Sequence, residues 1–351
     1  MLGRSEFGLE IVIEIAYLVY ETGLSFDKVC EVLEFFQDLA IRKSQVNALL
    51  RQLSRHWERE FEILCTLLAN SLVVHADETS WSLHSVWAFI SEKVRIVLYG
   101  VHKDGATLGR LLDPETFAGI VISDDASVYA NCSVAQKCWA HLLRKAIKLT
   151  LQEPNHQEYR VFTDQLVALY GRACAVQQDQ RFSAAGRAAK VKELEDELFV
   201  LCGSQCFADL PRETGSANTY RLLVQELMRL LVAKELFTFV TAPPVTQPNG
   251  ETKPVSGTNN EAERTLRGAA TARKIGRTNK TLVGARCQTI LTSVLESLRL
   301  YLPTYTLASV VQEIYGWWAA GQSCFAALLA QLNLKTSEAG VLDQILPQPS
   351  G

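Results

Sequence analysis

Leu72-Val73-Val74-His75-Ala76-Asp77-Glu78-Thr79-Ser80-Trp81 is the stretch on which the fold turns. An apolar, β-branched run ends abruptly in a carboxylate. That pattern predicts a buried strand over 72–76 with Asp77 just past it. An acid beside a buried strand is costly unless it is paired or binds a metal. The plainer alternative is that Asp77 and Thr79 cap a turn. What separates the two is whether other carboxylates meet Asp77 at one point.

Downstream, strand and helix patterns alternate. Residues 86–90 and 94–101 read as two more strands, joined by Ser91-Glu92-Lys93, a link short enough for a hairpin. A short helix over 106–112 is stopped by Asp113-Pro114. Gly-Ile-Val-Ile-Ser at 119–123 reads as a fourth strand and also ends in acids, Asp124-Asp125. A short helical stretch at 127–131, a fifth strand at 136–139 and a helix at 141–151 follow. Three strands in meander, then helix, strand, helix, strand, helix, is the element order of an RNase H-like fold. The expected class is α/β, with a mixed sheet of about five strands and flanking helices. In that fold the first and fourth strands are neighbours, so Asp77 and Asp124 would come close. Sites at the carboxyl ends of adjacent strands are the general expectation for such sheets.

The flanks are helical. Residues 8–21 and 25–38 read as helices, the second capped by Ser25. A long third helix opens at Ser44 as N-cap, with Val46, Leu49, Leu50, Leu53, Trp57, Phe61 and Leu64 on one stripe. With Arg42, Lys43, Arg51, Arg55 and Arg59 nearby, region 1–70 resembles a helix-turn-helix, a pattern ordinary helical hairpins share. Region 71–152 is then the first part of the core, and 153–240 an all-helical insertion containing a strongly apolar helix at 222–239. Pro243, Pro244, Pro248, Gly250, Pro254 and Gly257 make 241–257 a loop. Region 258–335 completes the core: Thr258-Asn259-Asn260 caps a helix over 261–272, and helices at 282–300 and 307–332 follow. Residues 336–351 read as a loosely ordered tail.

Hydrophobic residues make up 48% of the chain, ample for a core. No run reaches the ~18 apolar residues a membrane helix needs. Glu6 and Glu14 interrupt the N-terminal apolar segment, against a signal peptide. Nine cysteines without a regular framework suit free thiols in a reducing cytoplasm. Cys202 and Cys206 form a close pair with no second pair to complete a zinc site. A formal net charge of −3 excludes a global basic field. Locally, though, Arg264, Arg267, Arg273, Lys274, Arg277, Lys280 and Arg286 fall in an acid-free window, as do Lys137, His141, Arg144, Lys145 and Lys148. Such patches are either solvated helix faces or a polyanion groove.

Four ordered motifs carry a family resemblance. His75-Ala76-Asp77-Glu78-Thr79 and Asp124-Asp125-Ala126-Ser127-Val128-Tyr129 resemble the first and second catalytic blocks of insertion-sequence-66 transposases, within the DDE superfamily. Cys138-Trp139-Ala140-His141-Leu142-Leu143-Arg144-Lys145 is similar to the segment after the second block. Asn259-Asn260-Glu261-Ala262-Glu263-Arg264-Thr265-Leu266-Arg267 resembles the third. The resemblance implies metal-dependent DNA cleavage and strand transfer of an insertion sequence. Asp77, Asp124 and Glu263 would be the catalytic acids and the ligands of two Mg²⁺ or Mn²⁺ ions. Asp124 is preferred to Asp125 by its five-residue step to Tyr129, and Glu263 to Glu261, which falls at a variable position. His141, Arg144, Lys145, Arg264, Arg267, Arg273, Lys274, Arg277 and Lys280 would contact DNA.

The implied partners are double-stranded DNA, as transposon ends and target, at least a second copy of the chain in the DNA complex, and accessory proteins of the same element. A membrane is not among them. Two departures from the family stand out. The usual N-terminal zinc-binding segment is not in the sequence, and the Pro-rich loop is longer than usual. A truncated, non-catalytic DNA-binding remnant and an RNase H-like nuclease without strand transfer are therefore the alternative readings.

Overall fold

Strand β1, Val73–Ser80, does not stop at Asp77. The expectation of a strand ending at 76 is corrected by β2, Ser85–Ser91, which supplies an antiparallel partner at each further position. Asp77 lies opposite Ala88, Glu78 opposite Trp87 and Thr79 opposite Val86. Ladder hydrogen bonds run through backbone groups, so the pairing continues through a polar stretch. Asp77 and Thr79 are thus strand residues rather than turn caps. The turn comes at Trp81–His84, where the Trp81 amide donates to the His84 carbonyl at 3.0 Å. Strand β3, Arg95–Val101, pairs with β2 through the expected hairpin.

The computed structural model describes residues 6–206, 215–336 and 340–346. The chain divides into two compact units. One takes the chain up to Gly119, Thr246–Glu251 and the chain from Glu261; the other takes Ile120–Val245 and Thr252–Asn260. In the first unit, α1 (Leu9–Ala16) passes into a π-helical turn, Tyr17–Glu21, where one helix was expected. Helix α2 (Phe26–Gln37) starts at Ser25, whose hydroxyl accepts from the Lys28 amide at 3.3 Å. Helix α3 (Lys43–Ala69) begins before Ser44. There Gln45 reaches back to accept from the Arg42 amide at 3.0 Å, so the expected serine cap is not the one used. Asp104 caps α4 (Gly105–Leu111), accepting from the Thr107 amide at 2.8 Å.

The second unit opens with β4 (Ile120–Ser123), a 3-10 turn at Ser127–Tyr129, and β5 (Ala135–Lys137), which runs parallel to β4. Helices α5 (Trp139–Gln152), α6 (Gln157–Gln178), α7 (Ala184–Cys206) and α8 (Ser216–Val232) pack on one another. The apolar 222–239 segment is not one helix. It breaks after Val232, Lys234 takes φ 63°, and a short α9 follows at Thr238–Thr241. Buried Gln136 ties this bend to β5: its amide donates to the Leu236 carbonyl at 2.9 Å and its oxygen accepts from the Phe239 amide at 3.0 Å. The Trp139 indole also donates to the Leu236 carbonyl, at 2.6 Å.

The Pro-rich segment contains a two-stranded ribbon, β6 (Val245–Thr246) and β7 (Thr252–Lys253). Then come α10 (Asn260–Lys274), α11 (Leu282–Leu298), α12 (Leu307–Ala320), α13 (Cys324–Gln331) and α14 (Val341–Ile345). The single helix expected over 307–332 is split because Gly321 adopts φ 72° and Ser323 caps a new helix. Within the expected tail, α14 is docked: Val341 and Leu342 amides donate to the Glu62 carboxylate at 2.9 and 2.8 Å, and Leu342 and Ile345 are buried. The remainder of that segment, 337–339 and 347–351, lies outside the described residues, as does the Cys206 side chain of the close cysteine pair. The cysteines whose side chains are described are all free thiols. Among the described residues no helix is long and apolar enough to cross a membrane.

The five main strands form a mixed sheet in the order β3-β2-β1-β4-β5, flanked by helices, the arrangement of an RNase H-like fold. Strand β3 is an edge, and its outward amides need partners. Helix α11 provides them. Tyr99, Val97 and Arg95 amides donate to Thr289 Oγ1, Ser293 Oγ and Ser297 Oγ at 2.9, 3.0 and 3.0 Å. The three hydroxyls recur every fourth residue, one face of a helix. Gly100, at φ 76°, admits the close approach, since a Cβ there would stand 2.9 Å from the Ala285 Cβ. Replacing Ser293 by Ala strands the Val97 amide in a buried place. The expected cost is about 1–3 kcal/mol, read as a lower urea midpoint at unchanged slope. A midpoint equal to wild type would show that the hydroxyl contributes nothing.

Near the far end of this ladder sits a buried carboxyl pair. Burial, and then the neighbouring Glu296, push Glu21 up to about 8. Against the opposing effect of burial, the Glu21 hydrogen bond and the Arg299 and Arg95 guanidinium groups hold Glu296 below the usual range. Arg299 bonds both acids, at 2.8 Å to Glu21 and 3.0 Å to Glu296, and Arg95 meets Glu296 at 3.2 Å. The folded state keeps the Glu21 proton that the unfolded chain releases near 4.5. Between about pH 4.5 and 8 folding therefore takes up a proton, and stability falls as pH rises. Thermal melting should drop across this window, and Glu21→Gln should flatten the drop. An identical pH slope in the variant would exclude Glu21 as its source.

Candidate active site

Asp77 and Glu263 both belong to the first unit. Directly opposed residues of an antiparallel pair share a face of the sheet, so Asp77 projects from the face that carries Ala88. That face holds the cluster of Val86, Ala88, Ile90, Val97 and Tyr99, and α10 covers it through Ala262, Leu266 and Ala269. Glu263 follows Ala262 directly, in the first turn of α10, and is half-buried, whereas Glu261 is exposed. The helix is thus laid on the Asp77 face with Glu263 at the margin of its buried stripe. Arg273 fastens the other end of α10, donating to the Ser80 carbonyl at 2.7 Å, to Thr79 Oγ1 at 3.3 Å and to the Ser80 hydroxyl. Glu78, next to Asp77, has a buried carboxylate paired with Lys103 at 2.5 Å.

Asp124 lies in the second unit, directly after β4, and is half-buried. One of its carboxylate oxygens accepts from the Ala126 amide at 3.0 Å, which fixes the turn after the strand. Asp125 is exposed and ion-paired with Arg229 of α8. Both acids line a cleft of about 600 Å³ whose walls include Lys137, His141 and Lys145 on one side and Glu226 and Arg229 on the other. His141, in the first turn of α5, is half-buried. Lys145 is exposed and paired with Glu226 at 2.6 Å.

The basic window of the sequence divides sharply. Arg264, Arg267 and Lys274 are exposed along α10, on the side away from Ala262, Leu266 and Ala269, and Lys280 is exposed beyond it. Arg144 is exposed on α5. Arg273 is held by β1, and Arg277 donates to the Gly23 carbonyl at 2.6 Å. Arg286 is buried, bonded to the Leu346 carbonyl and paired with Asp343, both at 2.7 Å. These three guanidinium groups fasten helices and loops of the first unit. Arg277 stays exposed beside its bond, Arg273 is half-buried and Arg286 is turned inward.

Sequence reasoning counted Lys137 as one cation in a basic run. The structure places it in β5, 4% exposed, facing the Asp124 cleft. The signal available was its position: it follows the strand residues Ala135 and Gln136 and precedes a tryptophan helix start by two residues.

No match was found among curated proteins. A family model described as Transposase IS66 family matches residues 4–287. That match spans both units and all four motifs, and the chain belongs to the IS66 transposase family.

Proposed function

We propose that the chain is a DDE-type transposase that cuts and joins DNA at a centre formed by Asp77, Asp124 and Glu263. The observation that carries this reading is the placement of Asp77 on the face covered by α10, with Ala262, the neighbour of Glu263, in the cluster that includes Ala88. Asp124, the acid that directly follows β4, joins them on the family resemblance of its motif. All three candidate ligands are carboxylates, the donor set that suits Mg²⁺ or Mn²⁺. Ions held there would supply Lewis-acid activation of a water or 3′-hydroxyl and stabilise the leaving oxygen. Asp124 is the better second acid because Asp125 is committed to Arg229.

The chain's own residues supply binding and orientation. Arg264, Arg267, Lys274 and Lys280 offer exposed charges to phosphates, a contact that releases counterions and makes affinity salt-dependent. Strand transfer joins two ends, so a DNA complex with at least two copies of the chain follows from the reading.

Asp77→Asn, Asp124→Asn and Glu263→Gln should each lower Mn²⁺-dependent cleavage by about 10³-fold or more, with thermal melting intact. The assay is a supercoiled plasmid with labelled ends. Joined products identify a transferase, nicks alone a nuclease, and binding alone a non-catalytic remnant. A variant that cuts like wild type leaves the set of catalytic acids. Arg264→Glu combined with Arg267→Glu should reduce the slope of log affinity against log salt by about 2. If the slope holds, DNA lies elsewhere.

A further inference from the structure

Lys137 lines the Asp124 cleft, and the reading above does not use its chemistry. It ends β5, opposite Ser123 of β4. The residue is 4% exposed, yet its ammonium has only a 3.4 Å contact with the Ser123 hydroxyl and the Tyr129 ring 5.7 Å away. Among the described residues no carboxylate is within ion-pairing distance of it. The acids that share the cleft are engaged elsewhere: Asp125 with Arg229, Glu226 with Lys145, and Asp124 with the Ala126 amide. A buried ammonium lacking a counter-charge costs stability. Proteins keep such costs where function needs them.

Its surroundings point to an anion. Helix α5 begins two residues later with no acid of its own in the first turn, a place that favours negative charge, and its Trp139 amide donates to the Gly257 carbonyl at 3.0 Å. Cys138, His141 and Lys137 line one cleft of about 600 Å³, within the range of ligand-binding pockets. Lysine binds phosphate as a point charge with three donors. The Tyr129 ring, buried beneath the ammonium, limits where that charge can move.

We propose that Lys137 binds a non-bridging oxygen of a DNA phosphodiester in the Asp124 cleft. It orients that phosphate beside the acid and offsets its charge during reaction. This rests on the assignment of Asp124 to the catalytic centre. It adds a cation that neither the DDE acids nor the exposed α10 stripe includes.

The test uses the full chain with Lys137→Met, Lys137→Arg and, separately, Asp124→Asn. Binding of a short duplex is followed across salt in EDTA, so no metal is needed, and melting is recorded for each variant. Lys137→Met is expected to melt at or above the wild-type temperature, to bind about 10-fold more weakly and to lose about 1 from the salt slope. Lys137→Arg should restore the slope. Mn²⁺-dependent cleavage should fall in Lys137→Met and recover in part in Lys137→Arg. A wild-type slope in Lys137→Met overturns the proposal. So does a lowered melting temperature in that variant, which would make the ammonium a support of the fold. Full cleavage by Asp124→Asn together with a reduced slope in Lys137→Met would overturn the catalytic reading and leave a phosphate site. Loss of cleavage in Asp124→Asn with a wild-type Lys137→Met would do the reverse.

Discussion

The row of hydroxyls that α11 lays along β3 is the contact on which the first unit depends. An edge strand presents amides and carbonyls that water must cover or another element must pair. Here Thr289, Ser293 and Ser297 cover them one by one, and Ser293 and Ser297 also donate back to the Val97 and Arg95 carbonyls at 3.3 and 3.0 Å. The helix is thereby set in register with the strand as well as pressed against it. Its other side packs on α3, which in turn carries α1, α2, α13 and α14. Hydrophobic burial is non-directional, so the apolar faces alone would permit sliding. The hydroxyl row removes that freedom. The Arg95–Glu296 pair then lies one residue before Ser297 on the helix and at the start of the strand.

Fixing β3 also fixes what lies two strands away. Register passes from β3 through β2 to β1, so the facing of Asp77 is set by pairings of Ala88 with Val97 and of Asp77 with Ala88. A slip of one residue would turn Asp77 to the opposite face. Helix α10 reads the same register from above through Ala262, Leu266 and Ala269, and Arg273 locks its end to Thr79 and Ser80. An acid on a strand and an acid on a covering helix are thus positioned by elements whose own contacts are largely apolar. Rigid supports of this kind suit a carboxylate that must be held in place.

The sequence disclosed most of the fold, for identifiable reasons. Apolar β-branched runs marked the first four strands, and Ser25 shows how local chemistry starts a helix; the short β5, Ala135–Lys137, has no such run, and the stop at Gly321 is legible only once its positive φ is known. Strand ends were harder. Asp77 to Ser80 looks like a turn because polarity is a property of side chains, while ladder pairing is a property of the backbone. The hydroxyls of α11 were visible at a spacing of four in a sequence that otherwise reads as an apolar helix, yet only the amides of a distant edge strand give them meaning. The basic window shows another limit. A run of cations has no record of which guanidinium will meet a carbonyl. Arg273, Arg277 and Arg286 are indistinguishable in sequence from Arg264 and Arg267, yet each donates to a backbone carbonyl, and Arg286 is buried while Arg277 stays exposed.

This division of the arginines bears on how a chain of net charge −3 can act on DNA. Bulk charge sets long-range steering, and here it offers little. Local charge decides contact. The exposed stripe on α10 begins at Arg264, one residue after Glu263, so the proposed phosphate contacts and the candidate catalytic acid share one helix. A helix held at both ends, by Ala262 in the sheet cluster and by Arg273 on β1, cannot move its cations without moving its acid. On the proposed reading, coupling of the two by covalent geometry would let a few well-placed charges do what a basic field would otherwise have to do, since DNA drawn to the stripe would be aligned with the carboxylate beside it.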